Sequence, residues 1–125
     1  MKICVTSQGN NLESPVDPRF GRCQYFIIVD PETLEFEAVE NSSISVGGGA
    51  GIQSGQLMVN KGIEVVLTGN VGPNAFSTLQ AAGIKIIVGV AGMVKEAVEK
   101  YKKGELKITE GPSVGRKFGL SGKEQ

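Results

Sequence analysis

Residues 62–88 read GIEVVLTGNVGPNAFSTLQAAGIKIIV, and this stretch decides the fold. Ile63 to Leu67 and Ile84 to Val88 are short apolar runs, each broken by one charge, Glu64 or Lys85. Runs of that length and β-branched content predict strands covered on both faces. Between them a helix is expected from Pro73 to Ala82. Proline suits a first helical turn, where its missing N–H would have no partner anyway. Gly83 closes the helix, because glycine takes the left-handed conformation of a helix C-terminus without a Cβ penalty. Gly62, Gly83 and Gly104 recur every 21 residues, each behind a helical pattern. Two consecutive strand–helix units of this kind predict adjacent parallel strands with right-handed crossovers.

The flanking sequence extends the pattern. A helix is expected from about Ala50 to Lys61, and another from Met93 to Lys103. In the latter, Val94, Ala97, Val98 and Tyr101 form one apolar stripe. The first forty residues differ. Lys2 to Ser7 reads as a strand, and Tyr25 to Val29 as a second, buried one. Leu34 to Glu40 alternates apolar and charged residues, which predicts a half-exposed edge strand forming a hairpin with its predecessor. Residues 8–23 form a loop in which Pro15 and Pro18 bias Ser14 and Asp17 away from helix. The fold class is therefore α/β, an N-terminal hairpin followed by parallel βα units. One domain is expected over residues 1–110, followed by a Gly/Ser/Lys-containing tail over 111–125. The tail reads either as a flexible terminus or as a segment whose Arg116, Lys117 and Lys123 help hold an anion or a partner.

Composition narrows the function. Thirteen basic and thirteen acidic residues balance, so no global field favours nucleic acid or an acidic membrane. No segment reaches the roughly 20 apolar residues of a membrane-spanning helix. The N-terminus reads directly as a strand and not as a signal peptide. Two cysteines, Cys4 and Cys23, make no disulfide framework, so a cytoplasmic chain with free thiols is expected. There is no histidine. Nuclease chemistry would need several carboxylates converging on divalent metals. The expected strand ends carry Thr6-Ser7, Thr68-Gly69-Asn70 and Gly89-Val90 instead, so no enzyme is expected.

What remains is a binding site. In open α/β sheets ligands sit beyond the carboxyl ends of the parallel strands. Three loops should gather there. The first carries Arg19-Phe20-Gly21-Arg22-Cys23, two guanidinium groups beside a thiol. Arginine favours a neighbouring thiolate, a soft metal ligand, so Cys23 is a candidate ligand. Cys23 also reads as a half-buried loop residue, and Cys4 as core. The second loop is Gly47-Gly48-Gly49-Ala50-Gly51, and the third contains Gly69, Asn70, Gly72 and Asn74. Glycine loops feeding helix N-termini aim N–H groups at anions. The run from Gly47 fits neither a Walker A nor a Rossmann fingerprint, and it also reads as a hinge.

The ordered set Met-Lys-Ile at 1–3, Arg-Phe-Gly-Arg-Cys-Gln-Tyr-Phe-Ile-Ile-Val-Asp at 19–30, Gly-Gly-Gly-Ala-Gly at 47–51, and Leu-Thr-Gly-Asn-Val-Gly-Pro-Asn-Ala-Phe at 67–76 resembles the dinitrogenase iron-molybdenum cofactor family. That family includes NifX-like carriers and the C-terminal part of NifB proteins. The resemblance covers about residues 1–108. It implies a ribonuclease-H-like three-layer fold with a mixed, about five-stranded sheet. It also implies binding of an anionic iron- or molybdenum-sulfide cluster, with cluster donor or acceptor proteins as partners. Carried over by position, Arg19, Arg22 and Cys23 and the two glycine turns would line the site. The missing histidine departs from some carriers and shifts weight to Cys23 or to purely electrostatic capture. The alternative reading is a regulatory module for another small anion or a protein.

Overall fold

The computed structural model describes residues 1–42 and 50–109. Residues 43–49, with Gly47, Gly48 and Gly49, and the expected tail at 111–125 lie outside the described residues.

Five strands and three helices follow one another as β1 (Ile3–Ser7), β2 (Tyr25–Val29), β3 (Phe36–Glu40), α1 (Ala50–Asn60), β4 (Val65–Leu67), α2 (Pro73–Ala81), β5 (Lys85–Ile87) and α3 (Val94–Lys102). They form one mixed sheet of order β3-β2-β1-β4-β5. The hairpin β2–β3 is antiparallel and adds to β1 antiparallel, Cys4 facing Ile28. β4 and β5 run parallel to β1, with Ile3 opposite Val65 and Val66 opposite Ile86. This is the expected α/β architecture, a hairpin joined to parallel βα units. The helices stop at Gly62, Gly83 and Gly104, which take φ of 71°, 78° and 74°. In that conformation a residue with a Cβ would be strained, which is why glycine recurs there.

The alternation of side chains along each strand builds two apolar layers. On one face Cys4, Phe26, Ile28, Val66 and Ile86 pack under Met58 of α1 and Ala75, Phe76 and Leu79 of α2. On the other, Ile3, Val5, Ile27, Val29, Val65, Leu67 and Ile87 meet Val94, Ala97 and Val98 of α3. β1 is buried at every position, as befits a strand between two helical layers.

β3 departs from its expected packing. Phe36 and Ala38 are exposed, and only Val39 reaches the core, on the α1–α2 face. The reason is the placement of α3, which packs against β1 and leaves the edge beyond β2 uncovered on that side. β3 also starts later than expected. Leu34 sits at φ 65°, with its N–H on Asp30 O at 2.7 Å, so Leu34 belongs to the turn and not to the strand.

Candidate functional site

β1 and β4 are parallel neighbours, so both end at the same edge of the sheet, where the chain leaves β1 into residues 8–23 and β4 into residues 68–72. The long loop folds back across the strand ends. Asp17 N–H donates to Thr6 O at 2.9 Å, and the Thr6 hydroxyl donates to Asp17 O at 2.6 Å. Thr6 Oγ1 also lies 2.8 Å from Thr68 Oγ1. A carbonyl can only accept and a hydroxyl has one proton, so Thr68 must be the donor to Thr6. This fully buried chain of hydroxyls ties together the ends of β1, β4 and the crossing loop.

Downstream of Asp17 the loop runs beside the turn after β4. Arg19 forms a parallel bridge with Asn70. Phe20 N–H donates to Asn70 O at 3.1 Å, and Asn70 Nδ2 donates to Pro18 O at 3.3 Å. Gly69 lies against Pro18, leaving no room for a side chain. The loop after β5 joins them, Gly89 N–H donating to Gly69 O at 2.9 Å and Val90 N–H to Thr68 O at 3.1 Å. At the far side, Val94 and Lys95 in the first turn of α3 donate to Ser14 O and Leu12 O at 2.9 and 2.8 Å. The N-terminus of α3 is thereby closed by protein groups.

Of the expected site residues, the fold brings Arg19, Gly69 and Asn70 together. Asp17 is 2% exposed, yet its carboxylate accepts from Arg19 N at 3.0 Å and Arg19 Nε at 3.3 Å. The Arg19 side chain remains 58% exposed at the surface. The hydrogen bond and charge of Asp17 push the guanidinium pKa up further, so Arg19 stays a cation. Arg22 is exposed on the same loop. Gly72 is the N-cap of α2, and Asn74 lies exposed in its first turn, its carbonyl accepting from Thr78 Oγ1 at 3.0 Å.

One expectation is corrected. Cys23 does not present a thiolate. It is wholly buried in the core with Phe20 and Phe26, whose rings lie 5.9 Å apart. Burial pushes its thiol up from 9.0 to about 12, and the Asp17 charge adds to this, while the N–H groups of Cys23, Ser7 and Gly21 offset only part. Arg19 and Arg22 are both exposed, and burial outweighs any acidifying effect of their charges on the thiol. Gly51 also has a packing role. It lies in the first turn of α1, where an added Cβ would stand 3.2 Å from Cβ of Ala75. Its smallness therefore sets α1 and α2 side by side. Cys4 is core as expected, its thiol pushed well up by burial and by Cys23.

Sequence reading missed two partners in this region, Asn41 and the Thr6–Thr68 pair. Asn41 Nδ2 donates to Gly21 O at 3.1 Å and Cys23 O at 2.9 Å, fixing the Arg19–Cys23 loop to the end of β3. A lone Asn after an edge strand carries no sequence signal for this. Among the described residues no cluster of three or more Cys, Asp or Glu gathers to hold a metal ion. No helix among them is long and apolar enough to cross a membrane.

The chain is 42% identical to the orange protein from Desulfovibrio gigas, solved in its apo form; the match covers 89% of this chain and 94% of that one, with a TM-score of 0.86. A NifB-like protein from Thermotoga is 41% identical over 86% of this chain and 91% of its own, with a TM-score of 0.75. An uncharacterized protein of Methanocaldococcus jannaschii is 31% identical over 109 residues, 85% of this chain and 89% of its own length. Residues 1–104 match the family described as dinitrogenase iron-molybdenum cofactor, so the chain belongs to that family.

Proposed function

We propose that this protein binds and carries an anionic metal-sulfide cluster, an iron-molybdenum cofactor precursor or a related iron or molybdenum sulfide, and passes it between donor and acceptor proteins without transforming it. The observation that carries the reading is the Arg19 guanidinium, exposed but anchored at the carboxyl ends of β1 and β4. Family membership and the likeness to a protein solved in its apo form support it. With the Cys23 thiol buried and protonated, the cluster would be held by its sulfur atoms accepting hydrogen bonds from Arg19, Arg22, Asn70 Nδ2 and the N–H groups of the glycine turns. Charge-assisted bonds of this kind contribute about 1.5–3 kcal/mol each.

The test is uptake. Apo protein mixed anaerobically with tetrathiomolybdate or an iron-sulfide source is expected to gain a visible absorption band that comigrates with it on gel filtration. Arg19→Ala with Arg22→Ala should weaken retention at least tenfold while the fold survives. No retained metal under any of these conditions would overturn the reading. The absence of an enzymatic role is part of the proposal. Mg²⁺- or Mn²⁺-dependent cleavage of RNA, DNA or nucleotides should not exceed a no-protein control, because Asp17 is committed to Arg19.

A further inference from the structure

A buried carboxylate beside a site for an anion runs against simple electrostatics. Asp17 repels an anionic cargo, and taking its charge out of water is costly unless it is well paired. Its pairing is specific. Oδ1 accepts from the backbone N–H of Arg19 at 3.0 Å and from Arg19 Nε at 3.3 Å, and Oδ2 accepts from Arg19 Nη2 at 3.5 Å. The same residue is fixed to β1 through both of its main-chain groups, by Thr6 O and the Thr6 hydroxyl. The carboxylate engages the Nε–Nη2 edge of the guanidinium, and Nη1 takes no part in the pair.

We infer that Asp17 is a positioning residue: it holds the Arg19 guanidinium in one orientation at the end of the sheet, with its Nη1 end available to a sulfur-rich anion. This rests on the cluster-binding reading above. Arginine is long, and ordering its side chain on binding opposes affinity. A fork already locked to a buried carboxylate has met that entropy loss during folding. The buried partner also gives the role a distinctive sign. If charge alone governed capture, removing the Asp17 carboxylate would strengthen anion binding. If Asp17 positions Arg19, removing it weakens binding although the site becomes more positive.

Two readouts test this. In ¹⁵N-labelled protein without cargo, relaxation of the Arg19 Nε–H group should show an ordered side chain in the wild type and a mobile one in Asp17→Asn. Arg19 equally mobile in both would overturn the inference whatever becomes of the cargo. In anaerobic titrations with tetrathiomolybdate, Asp17→Asn should bind at least fivefold more weakly than wild type. In an Arg19→Ala background the same substitution should add no further loss, because the two residues act as one unit. Equal or tighter binding by Asp17→Asn overturns the positioning role, and so does an undiminished loss in the Arg19→Ala background. An ordered Arg19 in a wild type that retains no tetrathiomolybdate would retire the cargo reading and leave the clamp standing.

Discussion

A Cβ added to Gly69 would stand 2.6 Å from Cα of Pro18 and 2.8 Å from its carbonyl oxygen. Both contacts are with backbone, which cannot rotate away as a side chain can. The turn after β4 and the loop after β1 approach this closely because Asn70 donates to Pro18 O and accepts from Phe20 N–H. The glycine is therefore demanded by the meeting of two loops, in addition to any N–H it offers a ligand.

Gly69→Ala should force the loops apart. A destabilisation of roughly 1–3 kcal/mol is expected, as for other over-packed sites, with weaker tetrathiomolybdate retention because Arg19 moves with Pro18. Urea denaturation and the uptake assay measure the two effects. An alanine variant as stable as wild type would show that the loops adjust freely.

The hydroxyl pair makes an asymmetric prediction. Thr68→Val removes a donor but leaves Thr6 on Asp17 O, so the expected cost is about 1 kcal/mol. Thr6→Val leaves both Asp17 O and the Thr68 hydroxyl without their partner and should cost more, about 1–3 kcal/mol. Equal costs would contradict the proton assignment. Denaturation midpoints of the two variants decide it.

The Cys23 thiol should be silent near neutral pH. With its pKa raised to about 12 and the side chain fully buried, iodoacetamide should label it only on unfolding. Cys23→Ser should leave anion uptake and its spectrum unchanged. The raised value also links to stability. The folded state prefers the protonated thiol, so its contribution is fully present below pH 9 and is lost as pH climbs toward about 12. The urea midpoint of wild type should fall from pH 8 to pH 10.5 more steeply than that of Cys23→Ala. Parallel curves would contradict the burial.

Local signals revealed the elements because their causes are local. Glycines at 62, 83 and 104 end helices through their own φ, and Tyr25 to Val29 is a strand by its own composition. The site was partly legible for the same reason: strands that run parallel must end together, which brings residues 19 and 70 side by side. Cys23 was misjudged because its surroundings are assembled from afar. Phe20 and Phe26 close around it, and Asn41 arrives from the end of β3. Nothing in Arg-Cys adjacency states which of two neighbours turns inward. The exposed face of β3 was hidden likewise, since alternation reports two faces and not which one a helix will cover.

The loop crossing the strand ends is fastened at a second place, by the bonds of Val94 and Lys95 to Ser14 O and Leu12 O and of Val16 N–H to Gly92 O. This couples the two in unfolding. The loop cannot lift from the sheet without fraying the first turn of α3, and α3 cannot unwind from that end without freeing the loop. The amides of Val16, Val94 and Lys95 should then show one common protection factor against deuterium exchange, as members of a single cooperative unit. Any cargo held by Arg19 would slow all three together, although none of them touches it.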